Sequence, residues 1–210
     1  ICGWAMVRSV RAGQFQYFAG MDDGSANWLL IGYDDAGAFE ISATTGGGAN
    51  FASNPTANTW FFFAISCSGT GSSAFAGYYA HAGNSFITAT TTGQSFTPTG
   101  LYLGKDGFDE YCDIVLANVK IFDAVLTADE LYGEMYRFNP ARFANLNFWA
   151  PLWSTSDVND YGGNGRNLTS GGTLTSEDMP PLSRGWRSLA MPYVTTGGTT
   201  YNQSVSGAVS

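Results

Sequence analysis

Over roughly the first 120 residues, apolar and polar positions alternate every second residue or gather into short apolar blocks, cut at short intervals by glycine and Asp/Asn turns. A period of two predicts strands, because successive side chains of an extended chain point to opposite faces. Cys2, Trp4, Met6 and Arg8 alternate with Ile1, Gly3, Ala5 and Val7, giving a strand with one bulky face. Further strands are predicted over 15–19, 28–31, 39–43, 74–81, 85–91, 101–104 and 114–122. Asp22-Asp23-Gly24 and Asp34-Asp35-Ala36-Gly37 read as turns, and 46–48 with Asn54-Pro55 as a loop. Trp60-Phe-Phe-Phe-Ala-Ile-Ser66 is almost wholly apolar, which suits a strand buried on both faces.

The period changes convincingly once. Thr127-Ala-Asp-Glu130 is a capping box, in which the Thr hydroxyl takes one orphan amide and the Glu carboxylate another. Leu131, Met135 and Phe138 then recur at helical spacing, predicting a short helix over 127–137 that Asn139-Pro140 stops. Glu130 is assigned to the cap and Glu134 to the solvated side of that helix. Many short strands with one helix predict an all-β, two-sheet antiparallel jelly-roll sandwich.

Residues 1–138 are assigned to this sandwich and 139–194 to a C-terminal section packing on it. The Gly/Ser/Thr-rich stretch 195–210 reads as a tail or linker. In the C-terminal section, 146–153 predicts an aromatic strand and 186–193 a candidate last strand. The first of these has too few apolar side chains to build a core alone. It is expected to pair at a sheet edge, with Trp149 facing inward.

Composition narrows the function. There are 17 Asp and Glu against 9 Lys and Arg, with pI near 4.3. That balance excludes a phosphate-binding surface, so neither nucleic acid nor an anionic membrane is an expected partner. No apolar run is long enough to span a bilayer, so no membrane insertion is expected. Cys2, Cys67 and Cys112 read as free thiols buried as small hydrophobes, with one bridge and a leftover thiol as the alternative. His81 is the only histidine and no Cys-x-x-Cys occurs, which leaves nothing for a zinc site.

Three stretches resemble the laminin-G-like branch of the concanavalin A-like lectin/glucanase superfamily. They are 60–66, Leu101-Tyr-Leu-Gly104, and the strand, turn, cap and helix from Ala117 to Leu131. Phe148-Trp-Ala-Pro-Leu152 and Asp160-Tyr-Gly-Gly-Asn-Gly165 resemble that family's opening strand and loop, yet here they follow the helix. The opening strand is therefore expected either upstream of Ile1 or supplied by the C-terminal section. The arrangement also resembles phage virion proteins with a Gly/Ser/Val-rich tail. The resemblance implies a jelly roll but no single activity, since this fold hosts lectins, glucanases, lyases and inert domains.

The expected function is a non-catalytic structural or surface-assembly module of a virion or extracellular surface, with other subunits of that assembly as partners. A glycan-binding lectin is the alternative. No Glu-x-Asp-x-Glu strand motif of the fold's retaining glucanases is present, so no catalytic residue is assigned. Trp28, Tyr33, Tyr78 and Tyr79 are the candidate sugar platform. No cofactor is required by the sequence. The resemblance suggests calcium, for which Asp22, Asp23, Asp106 and Asp109 are the candidate ligands, against their simpler role as turn formers.

Overall fold

The computed structural model describes residues 1–24, 27–44, 47–105, 111–169, 175 and 177–182. Two antiparallel sheets face each other. The six-stranded sheet runs, in spatial order, β11 (Leu146–Ala150), β10 (Asp113–Phe122), β1 (Cys2–Ser9), β6 (Phe61–Cys67), β7 (Gly71–His81), β8 (Ile87–Gly93). The five-stranded sheet runs β5 (Gly47–Asn50), β4 (Phe39–Ala43), β3 (Trp28–Tyr33), β2 (Gln16–Asp22), β9 (Gly100–Leu103). A single helix, α1 (Ala128–Tyr136), is present among the described residues. The fold is the expected all-β sandwich.

Alternation explains the layers. Phe61, Phe63 and Ile65 of β6 enter the core between the sheets, where they meet Phe18, Ile31, Phe39, Ile41 and Tyr79. Phe62 and Ala64 of the same strand point the other way, onto Cys2, Trp4, Leu131 and Met135. So β6 is buried on both faces, as its apolar run predicts. The helix begins where expected: Thr127 accepts from Glu130 N, and the Glu130 carboxylate accepts from Thr127 N at 2.8 Å. It packs on β1, and Trp4 Nε1 donates to Met135 O at 3.0 Å.

One irregularity sets the far edge. Between Cys2↔Lys120 and Trp4↔Ala117, β10 carries an extra residue, Asn118, at φ 53. A bulge residue in the left-handed region suits Asn, whose short side chain tolerates it. The phase of β10 changes there. Ala117 faces the helix, whereas Val119 faces inward with Phe148 and Ala150 of β11.

Four expectations meet a different outcome. Gly47 and Gly48, assigned to a loop, lie in β5, where glycine leaves room for the Glu40 side chain. Trp149 points outward, because it sits opposite Lys120 while Phe148 and Ala150 take the inward places. Glu134 is 1% exposed, not solvated. Its Oε2 meets Lys120 Nζ at 2.7 Å, and its Oε1 accepts from Ala141 N and Arg142 N. Cys2, Cys67 and Cys112 are free thiols, but only Cys2 is fully buried. Burial raises the Cys2 thiol to about 11 and the Cys112 thiol to about 12. The candidate strand 186–193 and the tail 195–210 lie outside the described residues.

Candidate ligand-binding face

The two sheets differ on their outer sides. Among the described residues the helix packs on the six-stranded sheet, and no element is stacked on the outer face of the five-stranded one. Strand register places the outward side chains of that face in three rows. The first runs Asn50, Glu40, Gly32, Tyr17. The second runs Gly48, Ser42, Leu30, Gly20, Tyr102. The third carries Thr44, Trp28, Asp22 and Gly100, with Trp28 N donating to Thr44 Oγ1 at 2.8 Å.

Glycines make this face low in relief. A Cβ on Gly20 would lie 2.2 Å from Leu30 Cδ2, and one on Gly48 only 1.8 Å from Glu40 Oε2. Leu30 and Glu40 therefore lie down across the neighbouring strand and are only 3% and 5% exposed, although they face outward. Phe15, 41% exposed, stacks on Tyr17 at 6.1 Å. Trp28 and Tyr102 are half-buried at the other end, and Asn50 is exposed.

Glu40 is the electrostatic centre of the face. Tyr17 OH donates to its Oε1 at 2.6 Å. Burial pushes its carboxyl above the ordinary value; the tyrosine bond opposes this, while Asp34 and Asp35 reinforce it. Those two acids belong to the β3–β4 turn, where Asp34 Oδ1 accepts from Ala38 N at 2.7 Å.

The residues expected to bind ligand separate. Trp28 stands on this face directly opposite Asp22. Tyr33 and Tyr79 are 1% and 2% exposed in the inter-sheet core, where Tyr79 OH donates to Ser53 O, so neither ring offers a face to a sugar. Tyr78 lies on the outer side of the six-stranded sheet, against Phe86 in the layer under the helix. The proposed platform of four aromatics therefore does not form.

The described calcium candidates serve a turn. Asp22 Oδ1 accepts from Gly24 N, and both oxygens of Asp23 accept from Asn27, so these carboxylates close their own turn. Asp106 and Asp109 lie outside the described residues. Among the described residues no three His, Cys, Asp or Glu side chains gather to hold a metal.

Sequence reading missed Tyr17, Glu40, Ser42, Asn50 and Tyr102. A usable signal existed in Glu40, a lone acid alternating with Phe39 and Ile41 inside an apolar strand.

A laminin G family model described as the concanavalin A-like lectin/glucanases superfamily matches residues 1–132, and the two-sheet antiparallel sandwich is consistent with it. The chain belongs to this superfamily. No curated protein and no solved structure matches it. In this superfamily member the matched region ends inside α1, so β11 and the loops after it lie outside the matched residues.

Proposed function

We propose that the domain is a non-catalytic recognition module that takes a neutral saccharide on the outer face of its five-stranded sheet. The observation that carries this is the low-relief face itself. Trp28 and Tyr102, both half-buried, supply ring surface; Ser42 and Asn50 supply hydrogen-bonding groups, with Tyr17 and Glu40 buried beneath the face; glycines between them keep the surface flat. Stacking on rings with a few placed polar groups is how a weakly apolar sugar face is bound. The three rows hold Asp22 and Glu40 and no Lys or Arg, and Asp34 and Asp35 lie in the adjoining turn. Such a surface repels sulfated and uronate chains and favours uncharged ones.

Glu40 and Asp22, the two acids within the rows, are not spaced as a catalytic pair. Glycosidase carboxyl pairs stand about 5–9.5 Å apart. On this face Glu40 occupies the first row of β4 and Asp22 the third row of β2. At roughly 3.3 Å per residue, four positions along the strand already separate them by about 13 Å. Affinity electrophoresis through gels carrying neutral or sulfated polysaccharides tests the reading. Retardation by a neutral polymer, weakened in Trp28→Ala and Tyr102→Ala, is the expected result. Equal mobility in all gels rejects saccharide recognition. Release of reducing sugar that Glu40→Gln abolishes rejects the non-catalytic role.

The second reading is a structural subunit of a virion or other surface assembly. It is favoured by Phe143 and Val125, 69% and 46% exposed. They flank the place where the β10–α1 connection meets the loop before β11, joined by Asp123 N donating to Asn145 O. Exposed apolar residues at one end of a domain suit docking on a neighbouring subunit.

A further inference from the structure

Beyond the residues matched by the family model, the chain around β11 builds a second constellation. Phe138, Trp149, Tyr161 and Trp153 form a circuit of ring contacts. Phe138 stacks on Trp153 at 5.8 Å and meets Trp149 edge-on at 5.6 Å. Tyr161 completes it, 6.0 Å from Trp149 and 5.3 Å from Trp153. Trp153 and Tyr161 are 37% and 43% exposed. Phe138 stacks on one face of the Trp153 ring and Tyr161 meets it at a steep angle, and the ring keeps part of its surface open to solvent.

Asp157 lies in the same corner and is 7% exposed. Its Oδ1 accepts from Asn159 Nδ2 at 3.0 Å and from Tyr161 OH at 3.2 Å. Its Oδ2 is buried and has no hydrogen-bond partner. Leaving a buried acceptor unmatched is unfavourable, and a donor from outside would relieve it.

The surroundings select the donor. A calcium ion wants six to eight oxygens. The neighbouring carboxylate of Asp160 is spent on the amides of Trp149, Gly162 and Arg166. Burial raises the Asp160 carboxyl, but those amides and that of Asn164 together hold it below its ordinary value. A sugar hydroxyl needs only one acceptor and a ring beside it.

We propose that Trp153, Tyr161 and Asp157 form a second saccharide subsite. A sugar face rests on Trp153 and donates one hydroxyl to Asp157 Oδ2. Trp153, Asp157, Arg166 and Leu168 line one groove, from which that hydroxyl approaches. This subsite lies beside β11 at the edge of the six-stranded sheet, whereas the other face belongs to the five-stranded sheet. It rests on its own observations, and the two together would make the domain bivalent.

The test is affinity electrophoresis of the full chain through gels of galactomannan, mixed-linkage β-glucan or dextran, with melting curves alongside. Trp153→Ala and Asp157→Asn are each expected to weaken retardation about fivefold, the worth of roughly 1 kcal/mol of stacking or hydrogen bonding. Trp28→Ala is expected to leave a residual retardation that Trp28→Ala with Trp153→Ala removes. Asp157→Asn keeps the side chain's size, so its melting curve reports separately on folding. The subsite is rejected if no gel retards the parent, or if Trp153→Ala and Asp157→Asn migrate like the parent. It is also rejected if calcium raises the melting temperature of the parent but not of Asp157→Asn while retardation is unchanged in that variant.

Discussion

The two outer faces of this sandwich treat a carboxylate in opposite ways. Under the helix, Glu134 is matched on every side: Lys120 holds one oxygen, and the amides of Ala141 and Arg142 hold the other. On the other sheet, Glu40 is almost as deeply buried but receives one hydroxyl, from Tyr17, and faces outward. The first arrangement fixes a connection, tying β10, the helix and the chain entering β11 into one unit. The second leaves an acid with unspent acceptor capacity beneath a flat polar face. Depth alone therefore does not separate a structural acid from a functional one; the number of donors committed to it does.

The largest expected effect breaks the covered side. A chain ended after Pro140 loses β11 and both amides that cap Glu134. It is expected to expose the β10 edge and aggregate, the usual fate of a long unpaired strand. A monomer with unchanged melting temperature, seen by light scattering and calorimetry, would show that β11 is an appendage. Next comes Glu134→Ala, which strands the Lys120 ammonium. Breaking a buried pair from one side costs about 3–5 kcal/mol, to be read from urea unfolding. A loss under about 1 kcal/mol, the range of an exposed pair, would erase the contrast between the faces.

On the open side, Gly48→Ala puts a methyl where Glu40 Oε2 lies, so the flexible end of that side chain turns aside and the Tyr17 bond to Oε1 is weakened. The expected loss is about 0.5–1.5 kcal/mol, the net worth of one ordinary hydrogen bond. The smallest effect sharpens the electrostatics. Glu40 has a carboxyl raised above its ordinary 4.5, so the folded state holds that proton more tightly than the unfolded one. Its contribution to stability is full below pH 4.5 and is lost as pH rises through the raised value. Melting temperatures across this window should fall less steeply for Glu40→Gln than for the parent. Superimposable pH curves would place Glu40 in water.

Much of the fold was legible because local rules agreed with each other. The capping box fixed the start of α1, and the apolar run of β6 announced burial on both faces. What escaped needed knowledge of neighbours. Glu134 reads as a solvated helix residue until Lys120 and the backbone after Pro140 arrive opposite it. Trp149 reads as inward because it is large; its direction follows from the Asn118 bulge and the places taken by Phe148 and Ala150. The candidate site was less legible still. Turn-forming power made Asp22 and Asp23 conspicuous, and aromatic character did the same for Tyr33 and Tyr79, but neither property says which sheet face remains open. Register decides that, and register is a pairing between distant strands.

The central place of β1 has a consequence for the newborn chain. Cys2 lies between Ala64 on one side and Lys120 on the other, so β1 is completed by strands made much later in the chain. Pairing at such long separation is slow, because the intervening chain must close before contact repays it. On the ribosome, β1 with its buried Trp4 waits unpaired while β6 and then β10 are synthesised. Production of this domain should therefore depend more on chaperone capacity and on translation speed between β6 and β10 than on the stability of the finished sandwich.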